Sequence, residues 1–148
     1  TETDTEVVAH LVEREMKTDG LAAAVRRALA LLHGMFAIVL VSADDQNTIV
    51  AARSGPPIVV GLGENEFFVA SDIPAVLSHT RNLVFMDDGD MAVITKTGVV
   101  FSDFTGHPIK KTPQRISWDP LMAEKGGHRH FMLKEIHEQP TAIQRVDQ

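Results

Sequence analysis

Four short apolar runs within residues 34–72 constrain the fold of this chain more than any other feature. The runs are rich in β-branched residues, and three polar or glycine- and proline-containing turns separate them. Runs of this kind at close spacing are typical of an antiparallel meander. The first run, Phe36–Val41, is apolar at every position, so both faces of the strand suit burial. We therefore predict a central strand with another layer on each face.

Two amphipathic helices are predicted before these strands. Apolar residues recur at helical spacing over residues 7–16. Asp4 or Thr5 can cap this first helix, and acidic residues suit the positive end of its dipole. A second helix, rich in alanine and leucine, is predicted over residues 21–32 and ends before Gly34. Helices packed on antiparallel strands indicate an α+β domain.

Shorter elements are predicted after residue 72. They are a helical turn over 73–79, a strand over 82–86, a hairpin built from 91–95 and 99–102, and a polar strand over 108–112. The composition changes at Gln114, and a helix over residues 130–138 is interrupted by Gln139-Pro140 before a further helix begins. We expect residues 1–113 to form the globular body, and residues 114–148 to form a linker and a helical segment that leaves it.

Composition limits the kinds of protein that this chain can be. Its 148 residues suit one domain with its own core. A net charge of −6 argues against a nucleic-acid partner, whose binding surfaces are usually basic. The chain contains no cysteine, which excludes disulfides, thiolate metal sites and a cysteine nucleophile within these residues. No apolar run approaches the roughly 20 residues that cross a bilayer, so we expect no membrane partner and a cytoplasmic location.

Asp4 is the first candidate for a binding role, and two roles remain open for it. Its position just before an apolar helical repeat is typical of an N-cap. A carboxylate at a helix start can instead bind a cationic group such as an α-ammonium. Thr1 is a weaker candidate, because a free N-terminal threonine can act as a nucleophile with its own amine as base. Thr1 begins a charged segment before a helix rather than a buried strand, which disfavours that role.

Arg53, Ser71 and Asp72 are candidates at the ends of predicted strands. Arg53 can clamp a carboxylate with two hydrogen bonds, or it can pair with Asp72 or a backbone carbonyl. Ser71 and Asp72 can cap the helical turn that follows them. His128 and His130 form an H-x-H pair without a third ligand at a recognisable spacing, so no metal site is predicted. No glycine-rich phosphate-binding motif occurs, and the residues alone indicate no reaction.

Several segments, taken together and in order, resemble one known family. They read ETDTEVVAHL from residue 2, GMFA from 34, AARSGPP from 51, FVASD from 68, DDGD from 87 and RHFMLKEIHEQP from 129. Together they are similar to the second half of the glutaminase domain of the glucosamine-6-phosphate synthase family, the isomerising glutamine–fructose-6-phosphate aminotransferases. The early motifs are shared with other class II amidotransferases, and the last motif is more specific to this family.

The resemblance implies a fold, a reaction and a set of site residues. The fold is the N-terminal-nucleophile hydrolase sandwich of αββα type, with helices outside and two antiparallel sheets inside. In the family an N-terminal cysteine attacks the side-chain amide of glutamine, and the nitrogen passes to fructose 6-phosphate to make glucosamine 6-phosphate. No cofactor or metal is implied. Asp4 matches the position that binds the α-ammonium of glutamine, and Arg53, Ser71 and Asp72 match positions to which we assign structural support of the site.

The resemblance also implies that much of the enzyme lies outside this chain. The nucleophile, its α-amine base, the oxyanion hole and the arginine that binds the substrate carboxylate belong to the first half of the domain. We therefore expect a piece that is inactive alone, whose partners are that first half, the sugar-isomerising domain and further copies of itself. The alternative is a non-catalytic interaction or ligand-binding module that keeps the fold without the chemistry. A Cys-Gly-Ile-type start encoded upstream would favour the first interpretation, and a start codon at Thr1 the second.

Overall fold

The computed structural model describes residues 3–17, 20–117 and 127–146. It divides into two compact units, Thr1–Ile116 and Ser117–Gln148. In the first unit, helix α1 (Asp4–Glu15) and helix α2 (Leu21–Leu29) precede two antiparallel sheets. Helices followed by antiparallel strands confirm the predicted α+β class.

Each sheet has four strands, numbered here in chain order. The first sheet contains β1 (Phe36–Val41), β2 (Thr48–Ser54), β6 (Asp90–Thr95) and β7 (Gly98–Asp103), in the order β1-β2-β6-β7. The second sheet contains β3 (Val59–Leu62), β4 (Phe67–Ala70), β5 (Asn82–Phe85) and β8 (Gln114–Arg115), in the order β4-β3-β5-β8. The predicted hairpin around residues 96–98 is present as the β6–β7 pair.

Three groups of buried side chains hold the layers of the first unit together. The first group lies between the helices and the first sheet, where Val25 of α2 packs with Val50 and Met91. The second group lies between the two sheets and includes Ala51 and Val60. The third group packs the turns that follow β4 against the second sheet. Because Val50 and Ala51 belong to different groups, both faces of β2 are buried.

α1 and α2 pack through their apolar faces and are joined by an ion pair. α1 buries Val12, and α2 buries Leu21, Ala24, Val25, Ala28 and Leu29. Arg27 Nη2 donates to the Glu15 carbonyl at 2.6 Å, and Arg27 Nε lies 3.0 Å from the Glu15 carboxylate. A cation at this end of α1 satisfies a carbonyl that the helix leaves unpaired. α2 ends earlier than the predicted residue 32, and Gly34, with φ of +100°, redirects the chain into β1.

β1 is an edge strand, so its predicted central position is wrong. Alternate side chains from Phe36 to Leu40 face the helices and pack against the first buried group. Val39 and Val41 point to the opposite face, which the second sheet covers along β2 but not along β1. Their exposed fractions are 53% and 73%. An apolar pattern identifies a strand whose two faces suit burial, but it does not identify the residues that cover them.

Two further predictions about the order and extent of elements are wrong. The four apolar runs do not form one meander, because the turn after β2 sends the chain into the second sheet. Residues 108–112 are not a strand, since they contribute one isolated bridge between Ser102 and Pro108. Lys111 from this segment instead turns its side chain toward Asp90. The predicted helical turn over 73–79 is present, because the N–H groups of His79 and Thr80 both donate to the Val76 carbonyl at 3.0 Å, the latter with the spacing of an α-helix.

The second unit contains helix α3 (Phe131–Val146). The predicted interruption at Gln139-Pro140 is wrong, because α3 continues through Pro140 even though proline removes one N–H donor from a helix. Residues 118–126 of the predicted linker lie outside the described residues, and so does Thr1. Among the described residues, no helix has the length and apolar character required to span a bilayer.

Candidate functional site

A cleft of about 460 Å³ lies beside the first turn of α1. Its walls come from the start of α1, the connection between α2 and β1, and the turn after β2. The described residues that line it include Asp4, Thr5, His33, Met35, Phe36 and Pro56. Most of the lining is apolar, and Asp4 contributes a carboxylate to it. A mostly apolar cleft with a few polar groups is the usual form of a small-molecule site.

Asp4 is the first residue of α1, and the prediction that it caps this helix is wrong. Thr3 occupies the N-cap position, and no side chain there bonds to a backbone N–H. The Asp4 carboxylate accepts a hydrogen bond from Thr5 Oγ1 at 3.3 Å. Among the residues that the structure describes, no cationic side chain pairs with this carboxylate. The carboxylate is therefore available to a cationic ligand in the cleft.

Met35 and Gly55 shape the wall of the cleft beside Pro56. Gly55 has φ of +98°, in the left-handed region that favours glycine. A Cβ at this position would lie 2.9 Å from Met35 Cβ. The missing side chain lets Met35, which is 82% exposed, lie over the turn. The conformation of this turn therefore sets the position of the wall.

Arg53 holds this turn in place through its guanidinium. Its nitrogens donate to the carbonyls of Gly55 at 3.0 Å, of Pro56 at 3.1 Å, and of Met86. Arg53 Nε also lies 3.5 Å from Asp88 Oδ1. The same Asp88 oxygen accepts the Gly55 N–H at 2.9 Å. The guanidinium donors are therefore occupied by partners within the fold, mainly backbone carbonyls.

Ser71 and Asp72 follow β4 and do not line the cleft. Asp72 Oδ1 accepts the N–H of Ala75 at 3.3 Å, which is the contact expected of a cap on the turns that follow. Asp72 is not among the partners of Arg53 in the described part of the chain. The structure therefore brings Asp4 together with the turn held by Arg53, and it leaves Ser71 and Asp72 elsewhere.

A buried ion cluster, which the sequence analysis missed, fixes the loop that contains Asp88. Lys111 Nζ lies 2.7 Å from Asp87 Oδ2 and also pairs with Asp90. Burial acts to lower the pKa of Lys111, but the hydrogen bonds with Asp87 and Asp90 outweigh it and raise that pKa above its ordinary value. The hydrogen bond from Lys111 also lowers the pKa of Asp87. The lysine is distant from both aspartates in sequence, so no local pattern predicts the cluster.

The loop after β7 is organised by a second carboxylate, Asp103. It accepts hydrogen bonds from Thr105 Oγ1 at 2.6 Å and from the N–H groups of Thr105 and His107 at 2.9 Å. The hydrogen bonds from Thr105, and then those from His107, hold the pKa of Asp103 well below its ordinary value. This loop does not line the cleft, so we assign it to the fold rather than to the site.

Two other places lie apart from the Asp4 cleft. Within the described residues, no group of three His, Cys, Asp or Glu side chains could hold a metal ion. His128 instead stacks on His137, with ring centroids 5.2 Å apart. A second cleft of about 810 Å³ lies at the opposite ends of α1 and β1, where Glu13, Lys17 and Asp44 are among the lining residues.

Comparison with known proteins identifies the family of the region that contains the Asp4 cleft. Residues 1–78 match the family described as glutamine amidotransferase domain. The chain belongs to the glutamine amidotransferase domain family. The cleft-lining residues, from Asp4 to Pro56, all lie within the matched region.

Enzymes similar to this chain are several times longer than it. The isomerising glutamine–fructose-6-phosphate aminotransferases of Thermococcus kodakarensis and Caldanaerobacter subterraneus are 47% and 49% identical to it, over 144 and 142 residues. The alignments cover 96% of this chain but 24% and 23% of those relatives. The chain thus spans about a quarter of their length. These matches confirm the resemblance that the sequence motifs indicated.

Two solved structures share the fold. The glutamine phosphoribosylpyrophosphate amidotransferase from B. subtilis, complexed with ADP and GMP, matches with a TM-score of 0.60 and 26% identity. That match covers 70% of this chain and 23% of the other. The allosteric regulatory enzyme of purine biosynthesis, 24% identical, matches with a TM-score of 0.59. These likenesses confirm the predicted N-terminal-nucleophile hydrolase type of fold.

Proposed function

We propose that this amidotransferase chain is part of the glutamine-hydrolysing domain of an isomerising glutamine–fructose-6-phosphate aminotransferase, and that Asp4 binds the α-ammonium group of glutamine. One observation carries the proposal. Among the described residues, the Asp4 carboxylate lies in a mostly apolar cleft without a cationic side chain as partner. The Asp4 carboxylate is exposed at the cleft and can attract a cationic group, while the apolar lining offers surface to the rest of a small ligand.

The size and lining of the cleft suit an amino acid. Its volume of about 460 Å³ falls within the range of small-molecule sites, roughly 300–1,000 Å³. An ammonium group would donate a charge-assisted hydrogen bond to Asp4, worth roughly 1.5–3 kcal/mol or about 10- to 150-fold in affinity. Met35 and Phe36 supply apolar surface for the methylene groups of the ligand.

The other candidate residues are proposed to support the site without touching the ligand. Arg53 positions the turn that carries Gly55 and Pro56, and through it the wall of the cleft. Ser71 and Asp72 are proposed to support the turns after β4, through the hydrogen bond that Asp72 accepts from Ala75. Their substitution is expected to affect stability before it affects glutamine binding.

The complete enzyme is proposed to transfer the amide nitrogen of glutamine to fructose 6-phosphate and so make glucosamine 6-phosphate. Residues 1–113 are assigned to the second half of its glutaminase domain, and residues 114–148 to a linker and helical segment toward a sugar-isomerising domain. Its partners are the first half of the glutaminase domain and that isomerising domain. The chain holds no cysteine nucleophile, so it is proposed to be inactive alone. The cytoplasmic location stays a prediction.

Kinetics of an Asp4→Asn variant test the proposal in the full-length aminotransferase that contains these residues. The KM for glutamine should rise by about 10- to 150-fold, because the charge-assisted contact is lost. The melting temperature should change little, since Asp4 caps nothing. Glu6→Gln is the matched control, because it removes a carboxylate from the same helical turn that does not line the cleft. An unchanged KM with a lowered melting temperature would refute the binding role.

A second candidate function is a non-catalytic interaction module, and the uncovered face of β1 favours it. Val39 and Val41 leave apolar surface exposed on an edge strand. Such edges drive association between chains. We propose self-association of the isolated chain, which light scattering at increasing concentration would detect. A monomer at all concentrations would contradict it, whereas glutamine kinetics of the full-length enzyme would remain unaffected by that result.

A further inference from the structure

The loop between β5 and β6 holds the turn after β2 at three points. The Arg53 guanidinium donates to the Met86 carbonyl, and the Gly89 N–H donates to the Arg53 carbonyl at 2.9 Å. Asp88 Oδ1 accepts the Gly55 N–H at 2.9 Å and lies 3.5 Å from Arg53 Nε. Asp88 follows Gly55 by 33 residues, so a distant part of the chain holds this turn.

Asp88 and Arg53 together bind both backbone polar groups of Gly55. The Asp88 carboxylate accepts its N–H, and the Arg53 guanidinium donates to its carbonyl at 3.0 Å. Gly55 has the left-handed φ with which the chain turns after β2. Because glycine has the most conformational freedom of any residue, the two side chains restrict a position that would otherwise move easily.

The position of Gly55 sets the position of two residues that line the cleft. Pro56 follows it directly in the chain, and a Cβ on Gly55 would lie 2.9 Å from Met35 Cβ, so Met35 lies against its backbone. Ser54 Oγ also donates to the Gly34 carbonyl at 3.4 Å, which ties the turn to the α2–β1 connection. Each of these contacts forms within this chain and none uses the open edge of β1, so none depends on what completes the first sheet.

We propose that Asp88 is a positioning residue for glutamine. Through the N–H of Gly55 it fixes the wall formed by Pro56 and Met35, and this wall contacts the methylene groups of the bound substrate. The inference rests on the proposed binding of glutamine in the Asp4 cleft, and it adds a residue that does not line that cleft. Because the reacting groups are expected outside this chain, Asp88 should affect the KM for glutamine and leave kcat unchanged.

The loop that carries Asp88 is held mainly by other side chains. Asp90, 5% exposed, pairs with Lys111, 11% exposed, and it also accepts the Asp87 N–H at 2.6 Å. Asp88 itself is 69% exposed, and exposed ion pairs contribute little to stability. Loss of the Asp88 side chain is therefore expected to release the turn without unfolding the loop. Its effect on substrate affinity and its effect on stability can then be measured separately.

Asp88 variants of the full-length aminotransferase that contains these residues test the inference. Asp88→Ala removes the acceptor and should raise the KM for glutamine by about 2- to 10-fold, the loss expected for one hydrogen bond. Asp88→Asn should restore a KM close to that of the parent, because its amide oxygen can accept the same Gly55 N–H. Asp87→Ala is the matched control, since it removes a neighbouring exposed carboxylate that bonds to Lys111 and not to the turn. The KM of this control should equal that of the parent.

A substrate analogue without the α-amino group separates this inference from the proposed role of Asp4. The wall contacts the part that both substrates share, so Asp88→Ala should raise the KM for the analogue as much as that for glutamine. An unchanged KM, even with a lowered melting temperature, a rise confined to glutamine, or an equal rise in Asp87→Ala would overturn this inference alone. An Asp88→Asn variant that behaves like Asp88→Ala would overturn it too. An Asp4→Asn variant without a glutamine-specific loss would instead refute the Asp4 contact, and the Asp88 comparisons would still decide this inference.

Discussion

Replacement of Lys111 by methionine removes the cation from the buried cluster behind the 87–90 loop. Lys111 and Asp90 are 11% and 5% exposed, whereas the other partner, Asp87, is 83% exposed. The two ion pairs therefore differ in kind. An exposed pair contributes about 0–1 kcal/mol, whereas loss of one partner from a buried pair costs roughly 3–5 kcal/mol, because a buried charge is left without its counterion.

Most of the lost stability is expected to come from Asp90, which keeps only the N–H of Asp87, at 2.6 Å, as a described partner once the lysine is gone. We therefore expect Lys111→Met to lower the free energy of unfolding of the first unit by roughly 3–5 kcal/mol. Asp87→Asn should lower it by about 1 kcal/mol or less. With a urea m-value of about 2 kcal/mol/M, the Lys111→Met midpoint should fall by roughly 1.5–2.5 M.

Urea unfolding followed by far-ultraviolet circular dichroism measures these differences. Lys110→Met is the matched control, because Lys110 is the exposed neighbour and has no partner in the cluster. Asp90→Asn in the Lys111→Met background removes the buried negative charge that no longer has a counterion, and it should restore part of the lost free energy of unfolding. Equal midpoints for Lys111→Met and Lys110→Met would refute the reasoning, because they would show that the buried pair contributes no more than a surface charge.

Three further outcomes follow from the structure. The pure chain should release no glutamate from glutamine above a buffer control, since it has no cysteine; measurable release would contradict this. Gly55→Ala should lower the free energy of unfolding by about 1–3 kcal/mol, because φ at this position is +98°, and urea midpoints would show it. Because the pKa of Asp103 is lowered in the folded state, its carboxylate stabilises the fold at pH values above its ordinary pKa of 3.8. This contribution to stability is lost as the pH falls below 3.8. Asp103→Asn should therefore lose less stability than the parent between about pH 4 and pH 2 in acid titrations, and equal losses would contradict the assignment.

Local patterns predict the elements of the fold better than their arrangement. The apolar run Phe36–Val41 is a strand with the predicted bounds, and α1 begins where the acidic residues indicate. The sequence could not show that β1 lies at an edge, because strand order depends on contacts between distant residues. Local geometry predicts a break at Pro140, yet α3 continues through it.

The candidate site is predictable only where a family motif marks it. The motif around Asp4 distinguishes this residue from other acidic side chains, and the structure places it in a cleft. His33 and Met35 line the same cleft without any sequence signal, since their position depends on how the α2–β1 connection passes the turn at Gly55. The ion pairs of Lys111 could not be predicted either, because its partners lie on a loop that is distant in sequence.

The proposed role of Asp4 is tested most directly by a substrate that lacks only the group Asp4 is said to bind. Glutaramate is glutamine without its α-amino group, so a contact between Asp4 and the ammonium cannot form with it. In the full-length aminotransferase, Asp4→Asn should lower kcat/KM for glutamine hydrolysis by about 10- to 150-fold and leave kcat/KM for glutaramate unchanged. Equal losses for the two substrates would contradict the proposal, because they would show that Asp4 acts on the site without recognising the ammonium.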